Sequence, residues 1–203
     1  MKLYFSPASP FVRKVMLVLY LKNMVDRVQL VAGRGTPTQP NKETLSVNPL
    51  GKIPALATES GEILYDSRVI CRYLDRQSGG GLYPTDNSEF TVLTREALAD
   101  GILDAAVLAV YENRLRPEGM RHQPILDAMN AKVERGLAAF ETGADAVTAG
   151  ALSIDKIGVA CALGYLDFRF PGLNWRSKAR KLTAWYDEFR ETPAMLATAP
   201  REG

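Results

Sequence analysis

Ser9 stands directly before Pro10, and apolar residues then recur at helical spacing at Phe11, Val15, Val18 and Leu19. Proline fits the first turn of a helix because its missing N–H would be unpaired there anyway, so Ser9 is an N-cap candidate. One reading of Ser9 is a hydroxyl bonded to its own helix. The other is chemical: the free N–H groups and partial positive charge of a helix start stabilise a thiolate or another anion beside that hydroxyl. A second segment is Asn48-Pro49-Leu50-Gly51-Lys52-Ile53-Pro54-Ala55-Leu56. Pro54 cannot donate to a sheet ladder, so it belongs at a strand's first residue or in a bend. Only about 5% of X-Pro bonds are cis, and trans is the default. A cis Ile53-Pro54 bond would let the backbone of Ile53 face outward and pair with a short extended peptide as an added strand does. The third segment is Tyr65-Asp66-Ser67-Arg68, at a junction of strand and helix. Asp and Ser are ordinary helix-start residues. They also suit an amino acid's two charged ends, Asp66 holding the ammonium and the Ser67 hydroxyl with the first helical N–H groups holding the carboxylate.

Leu3-Tyr4-Phe5 reads as a strand, followed by the turn-rich Ser6-Pro7-Ala8-Ser9-Pro10 and a helix. Arg27 to Val31 reads as a second strand. Ala55 to Thr58 and Ile63-Leu64-Tyr65 form a hairpin around Glu59-Ser60-Gly61-Glu62, and a helix carrying Val69, Ile70, Tyr73 and Leu74 follows. The expected order is β-α-β-(short α)-β-β-α. Ser78-Gly79-Gly80-Gly81 is the clearest composition break, which places a first domain at 1–77, a linker at 78–87 and a second domain at 88–203. The second domain reads as helix after helix. Leu98 and Ile102 begin a long one, Ile125 to Phe140 give another, and Leu182, Trp185, Tyr186 and Phe189 mark a last. Between these, Ile157, Ala160, Cys161, Gly164 and Phe168 form a stripe of mostly small residues, which suits a helix at the centre of a bundle.

Composition removes several function classes. Apolar runs such as Val15 to Leu21 are far short of the ~20 residues that span a bilayer, and Met1-Lys2 enters the first strand without a signal-peptide pattern. A cytoplasmic protein is expected. Cys71 and Cys161 fall in apolar helical patterns and read as buried free thiols. One histidine, His122, and no CxxC give no metal site, and without GxSxG a Ser-His-Asp hydrolase lacks its elbow. The chain carries 25 Lys+Arg and 23 Asp+Glu, net +2. Residues 1–77 hold 11 and 6 of these, net +5, and residues 78–203 hold 14 and 17, net −3. No basic run or basic-aromatic stripe points to nucleic acid, so the basic half suits a small anionic ligand or differs from the other half by chance.

In their joint order and spacing the three segments resemble the glutathione S-transferase family, in its bacterial-type branch with a serine active site, and the similarity covers essentially the whole chain. Ser9-Pro10-Phe11-Val12-Arg13 is similar to the family's active-site segment, Asn48 to Leu56 to the segment with its cis-proline, and Asp66-Ser67 to the pair that holds a γ-glutamyl group. Leu182-x-x-Trp185-x-x-x-Phe189 with Pro193-Ala194 resembles its C-terminal helix and exit. The resemblance implies a thioredoxin-like α/β domain with a mixed four-stranded sheet, then an all-helical domain. It implies glutathione as co-substrate: Ile53, beside Pro54, pairs with the cysteinyl part, Asp66 and Ser67 take the γ-glutamyl end with help from Arg68, Lys52 meets the glycyl carboxylate, and Ser9 donates to the sulfur. Ser6 competes with Ser9 for that last role. A cysteine at position 9 would suggest disulfide exchange; serine fits activation of glutathione as a nucleophile.

The activity implied is conjugation of glutathione to small apolar electrophiles, in detoxification, with reduction of organic peroxides as a further capacity and a homodimer as the assembly. Phe11, Leu103, Val107, Tyr111 and Tyr165 are the candidates for the electrophile's apolar site, each also readable as core. A maleylacetoacetate-type isomerase and a non-catalytic binding module are the alternatives. The isomerase branch carries Ser-Ser-Cys where this chain has Ser6-Pro7-Ala8. Ser153 is the expected cap of the central helix, with Lys156 where an acidic partner usually completes the box, and Asp155 as its substitute.

Overall fold

The computed structural model describes residues 1–202. Its contacts divide the chain into two units, Met1–Tyr83 with the stretch from Pro193 onward, and Pro84–Thr192. In the first unit β1 (Lys2–Phe5) and β2 (Gln29–Ala32) run parallel, with Leu3 opposite Leu30. A parallel pair needs a crossover, and α1 (Pro10–Leu21) provides it. On the other side of β1 lies β3 (Ala55–Ala57), antiparallel, and β4 (Ile63–Leu64) pairs antiparallel with β3 to complete the order β2-β1-β3-β4. With α2 (Lys42–Val47) before β3 and α3 (Ser67–Gln77) after β4, the element order is the one expected. The second strand begins later than the apolar pattern suggests, because Val25–Arg27 winds into a 3-10 turn first. Leu3, Val15, Leu17, Leu56, Ile70 and Leu74 are fully buried and form the core where α1 and α3 pack together over the sheet.

The second unit is all helical: α4 (Glu89–Leu115), α5 (Gln123–Thr142), α6 (Ala144–Thr148), α7 (Ile154–Arg169), α8 (Trp175–Lys178) and α9 (Arg180–Phe189). Every residue of α7 from Ile154 to Leu166 is buried, as its small-residue stripe predicts. Glycine allows the close approach. A Cβ on Gly158 would meet that of Ala99 at 3.2 Å, and one on Gly136 would fall 2.5 Å from Ile102 Cγ1. The expected cap at Ser153 does not form. Its hydroxyl donates to the Asp155 carboxylate instead, and that buried carboxylate takes Arg95 Nε of α4 at 2.5 Å. Asp155 therefore ties α7 to α4, while Lys156 donates to the Ala149 and Gly150 carbonyls.

Two boundaries differ from the expected 1–77, 78–87 and 88–203. The stretch from Pro193 belongs with the first unit, because α10 (Pro193–Ala197) packs on α1 and the Met195 carbonyl accepts from Arg13 Nη2 at 3.2 Å. The linker segment is also partly built in. Leu82 and Tyr83 are buried, and their N–H groups donate to the buried Asp75 carboxylate at 3.1 and 3.3 Å. Lys22 Nζ, at the end of α1, lies 3.0 Å from the same carboxylate and donates to the Gly80 carbonyl at 2.6 Å. Gly79, Gly80 and Gly81 all have positive φ, which turns the chain back toward Asp75. Asp75→Ala leaves a lysine and two backbone donors without their acceptor. We expect a loss of about 3 kcal/mol, read from the urea unfolding midpoint.

Candidate functional site

The sheet register brings the three chemical segments to one end of the first unit. Tyr4 of β1 lies opposite Ala55 of β3, so the chain leaving β1 toward Ser9 and the chain entering β3 from Ile53 are neighbours. Leu56 lies opposite Leu64, which sends the chain leaving β4 toward Asp66 to the same end. Side chains far apart in sequence are thus gathered by strand direction alone.

Ser9 caps α1, with φ −85° and ψ 123° and its Oγ accepting from Val12 N at 3.3 Å. Accepting that bond leaves the hydroxyl proton available to a further acceptor. Ser9 is half-buried, whereas Ser6 is only 4% exposed and its Oγ accepts from Ala8 N at 3.4 Å. The nearby Ile53-Pro54 bond is cis. Neither the N–H nor the C=O of Ile53 has a hydrogen-bond partner among the described residues. The turn before it is built by Asn48, whose buried side chain accepts from Leu50 N at 3.0 Å and donates to the Lys52 carbonyl at 2.8 Å, with Gly51 at φ +61°. Lys52 itself is exposed.

Asp66 caps α3 by accepting from Arg68 N at 3.0 Å, and its carboxylate pairs with Arg68 Nη2 at 2.7 Å. The Tyr65-Asp66 bond is also cis. Partial burial pushes the Asp66 carboxyl up, but the Arg68 side chain, the Arg68 N–H and the charges of Arg68 and Lys14 outweigh it and hold the carboxyl below its ordinary 3.8. Ser67 is buried and its hydroxyl makes no hydrogen bond among the described residues. The site therefore presents an ionised carboxylate, two serine hydroxyls, two helix N-termini and an open backbone pair.

The five residues expected to meet an apolar substrate divide between the units. Phe11 lies on α1; Leu103, Val107 and Tyr111 lie on α4 and Tyr165 on α7. Leu103 is fully buried and offers no surface, while Phe11, Val107 and Tyr111 are half-buried. Tyr165 is not in a purely apolar setting. Burial raises its hydroxyl above its ordinary value, the Arg169 charge and hydrogen bond oppose that, Tyr111 adds to it and Arg114 opposes it.

Gly33 and Thr44 belong to the site although no motif marks them. Thr44 Oγ1 donates to the Gly33 carbonyl at 3.0 Å, and a Cβ on Gly33 would stand 2.8 Å from Thr44 Oγ1 and 2.9 Å from Ile53 Cγ2. Ile53 packs where that Cβ would be. The one sequence signal is a glycine immediately after β2. Among the described residues no three His, Cys, Asp or Glu side chains are placed to hold a metal, and no helix is long and apolar enough to cross a membrane. Cys71 and Cys161 are buried and not disulfide-bonded.

Comparison with known proteins agrees with this fold. Residues 8–77 match the family model described as glutathione S-transferase, N-terminal domain, and residues 123–188 match the glutathione S-transferase C-terminal domain. Over 182 residues, 86% of each chain, the protein is 35% identical to the uncharacterized GST-like protein YibF of Escherichia coli (strain K12). A glutathione transferase family member from Pseudomonas fluorescens Pf-5, solved with bound glutathione, superposes with a TM-score of 0.96 at 48% identity and 98% coverage of both chains. A structure from the same organism with bound S-(propanoic acid)-glutathione gives 0.90 at 47% identity, covering 99% of this chain and 100% of that one.

The lowered Asp66 carboxyl sets a pH dependence. A folded value below the unfolded 3.8 contributes stability that is present above 3.8 and is lost as pH falls through the folded value. Urea midpoints followed from about pH 6 to about pH 3 should fall more steeply for the wild type than for Asp66→Asn, which carries no such carboxyl.

Proposed function

Because the chain belongs to the glutathione S-transferase family, we propose that it is an enzyme joining the thiolate of glutathione to small electrophiles. The observation that carries this reading is the open backbone of Ile53, at the sheet end where the Ser9 and Asp66 helix starts also converge. An extended peptide offers the complementary C=O and N–H, so the cysteinyl residue of glutathione pairs there as an added strand. Asp66 holds the γ-glutamyl ammonium, sharing its charge with Arg68, and Ser67 with the first N–H groups of α3 takes the α-carboxylate. Lys52, exposed beside Ile53, meets the glycyl carboxylate. The presence of glutathione and of a glutathione S-conjugate in the two Pseudomonas structures supports both the ligand and the reaction class.

Ser9 supplies the chemistry. A free thiol with pKa ~8.5 is only a few per cent thiolate at pH 7. One hydrogen bond to a charged acceptor contributes about 1.5–3 kcal/mol, or one to two pKa units, and the N-terminus of α1 adds to it. The thiolate then attacks the electrophile. With a second glutathione to complete the disulfide, the same thiolate reduces an organic peroxide to its alcohol and water. Phe11, Val107, Tyr111 and Tyr165 are the residues we assign to the electrophile. A homodimer and a cytoplasmic, detoxifying role are part of this reading and rest on the family alone.

Calorimetric titration with glutathione, followed by turnover of a chloro-nitroaromatic by wild type and Ser9→Ala, tests the proposal. Millimolar or tighter binding is expected, with kcat lower in Ser9→Ala on the order of tenfold to a hundredfold and binding little changed. Unchanged turnover would move the role to Ser6 or to the backbone. Binding without conjugation by wild type would favour the isomerase, and no binding would leave a non-catalytic module.

A further inference from the structure

Arg13 lies one helical turn after Ser9, and its N–H closes the first turn of α1 on the Ser9 carbonyl at 3.0 Å. The residue is only 6% exposed. Its Nη2 donates to the Met195 carbonyl at 3.2 Å and stands 3.8 Å from Met195 Sδ, both neutral acceptors. Nε and Nη1 are buried and make no hydrogen bond. No carboxylate of the described residues pairs with this guanidinium. An arginine cannot shed its charge in a protein, and a buried charge without a counter-ion is costly. A neutral side chain of similar length would fill the same space without that cost.

The elements packed against α1 carry charges that are engaged elsewhere. On α3, Asp75 is held by Lys22 and two backbone donors, and Asp66 is paired with Arg68. Arg72 and Arg76 add further positive charge from α3 and Lys14 from α1; the 3-10 turn brings Asp26 and Arg27. α10 contributes no titratable group, and the tail after it brings Arg201 and Glu202. Direction matters as well. Side chains on a helix tilt toward its N-terminus, which sends the Arg13 charge to the Ser9 end of α1. The tail runs to that end too, where Arg201 N–H donates to the Pro7 carbonyl at 3.4 Å.

We propose that Arg13 is a positioning residue for the reaction, whose uncompensated buried charge favours the glutathione thiolate beside Ser9 through the field rather than by contact. The inference rests on the glutathione reading above. An anion at Ser9 gives the guanidinium the counter-charge that the protein itself withholds, so the two stabilise one another.

The test compares wild type, Arg13→Met and Arg13→Lys in three measurements: glutathione binding by calorimetry, the pH profile of kcat/KM, and thermal melting. Arg13→Met should still bind glutathione, melt no lower than wild type, and move the acid limb of the profile up by about one pH unit, a tenfold loss of thiolate at acid pH. Arg13→Lys keeps the charge and should hold the limb near its wild-type position. A limb unmoved in Arg13→Met with a lowered melting temperature would show a purely structural arginine and overturn the proposal. A limb moved as far in Arg13→Lys as in Arg13→Met would overturn it as well. Failure of wild type to bind glutathione would instead refute the reading on which it rests.

Discussion

Backbone N–H and C=O groups must be paired or left facing something that can pair them, and the first unit meets this constraint in three different ways at one end of its sheet. Ser9 satisfies one open N–H of α1, and Asp66 satisfies one of α3. Ile53 is left with both of its groups unpaired. The two caps take only part of what each helix start offers, so donors and partial positive charge remain at both. A peptide with an extended centre and anionic groups is the ligand such an arrangement suits. Strand order delivers the three segments to one place without long connecting loops.

Buried polar groups take part in the packing of both units. Asp75 gathers Lys22 and the backbone of Leu82 and Tyr83, fastening the chain just before it leaves the first unit. In the helical unit Asp155 does similar work between α7 and α4. Both carboxylates are buried with partners. Arg13 is the contrast, a buried cation whose only side-chain acceptors among the described residues are a carbonyl and a thioether. Gly33 shows the steric counterpart: its missing side chain is the space that Ile53 occupies.

Local chemistry made much of this legible in the sequence. Pro10 after Ser9 and Ser67 after Asp66 announce helix starts, because capping depends on neighbours within one turn. The order of strands and helices followed from apolar spacing, and the central place of α7 from its small residues. What escaped depends on partners distant in sequence. The Ser153 hydroxyl left its cap for a carboxylate already drawn to Arg95. The return of Pro193 onward to the first unit rests on Met195 meeting Arg13. Leu103 fits a substrate wall by its helical position, yet its whole side chain is spent on the bundle core.

The central claim is that the open backbone of Ile53 receives a peptide. Amide hydrogen exchange at Ile53, measured by NMR with and without saturating glutathione, tests it most directly. Pairing as an added strand should slow exchange of the Ile53 amide by at least about tenfold. Saturation with glutathione that leaves the Ile53 amide exchanging at its free rate would contradict the account.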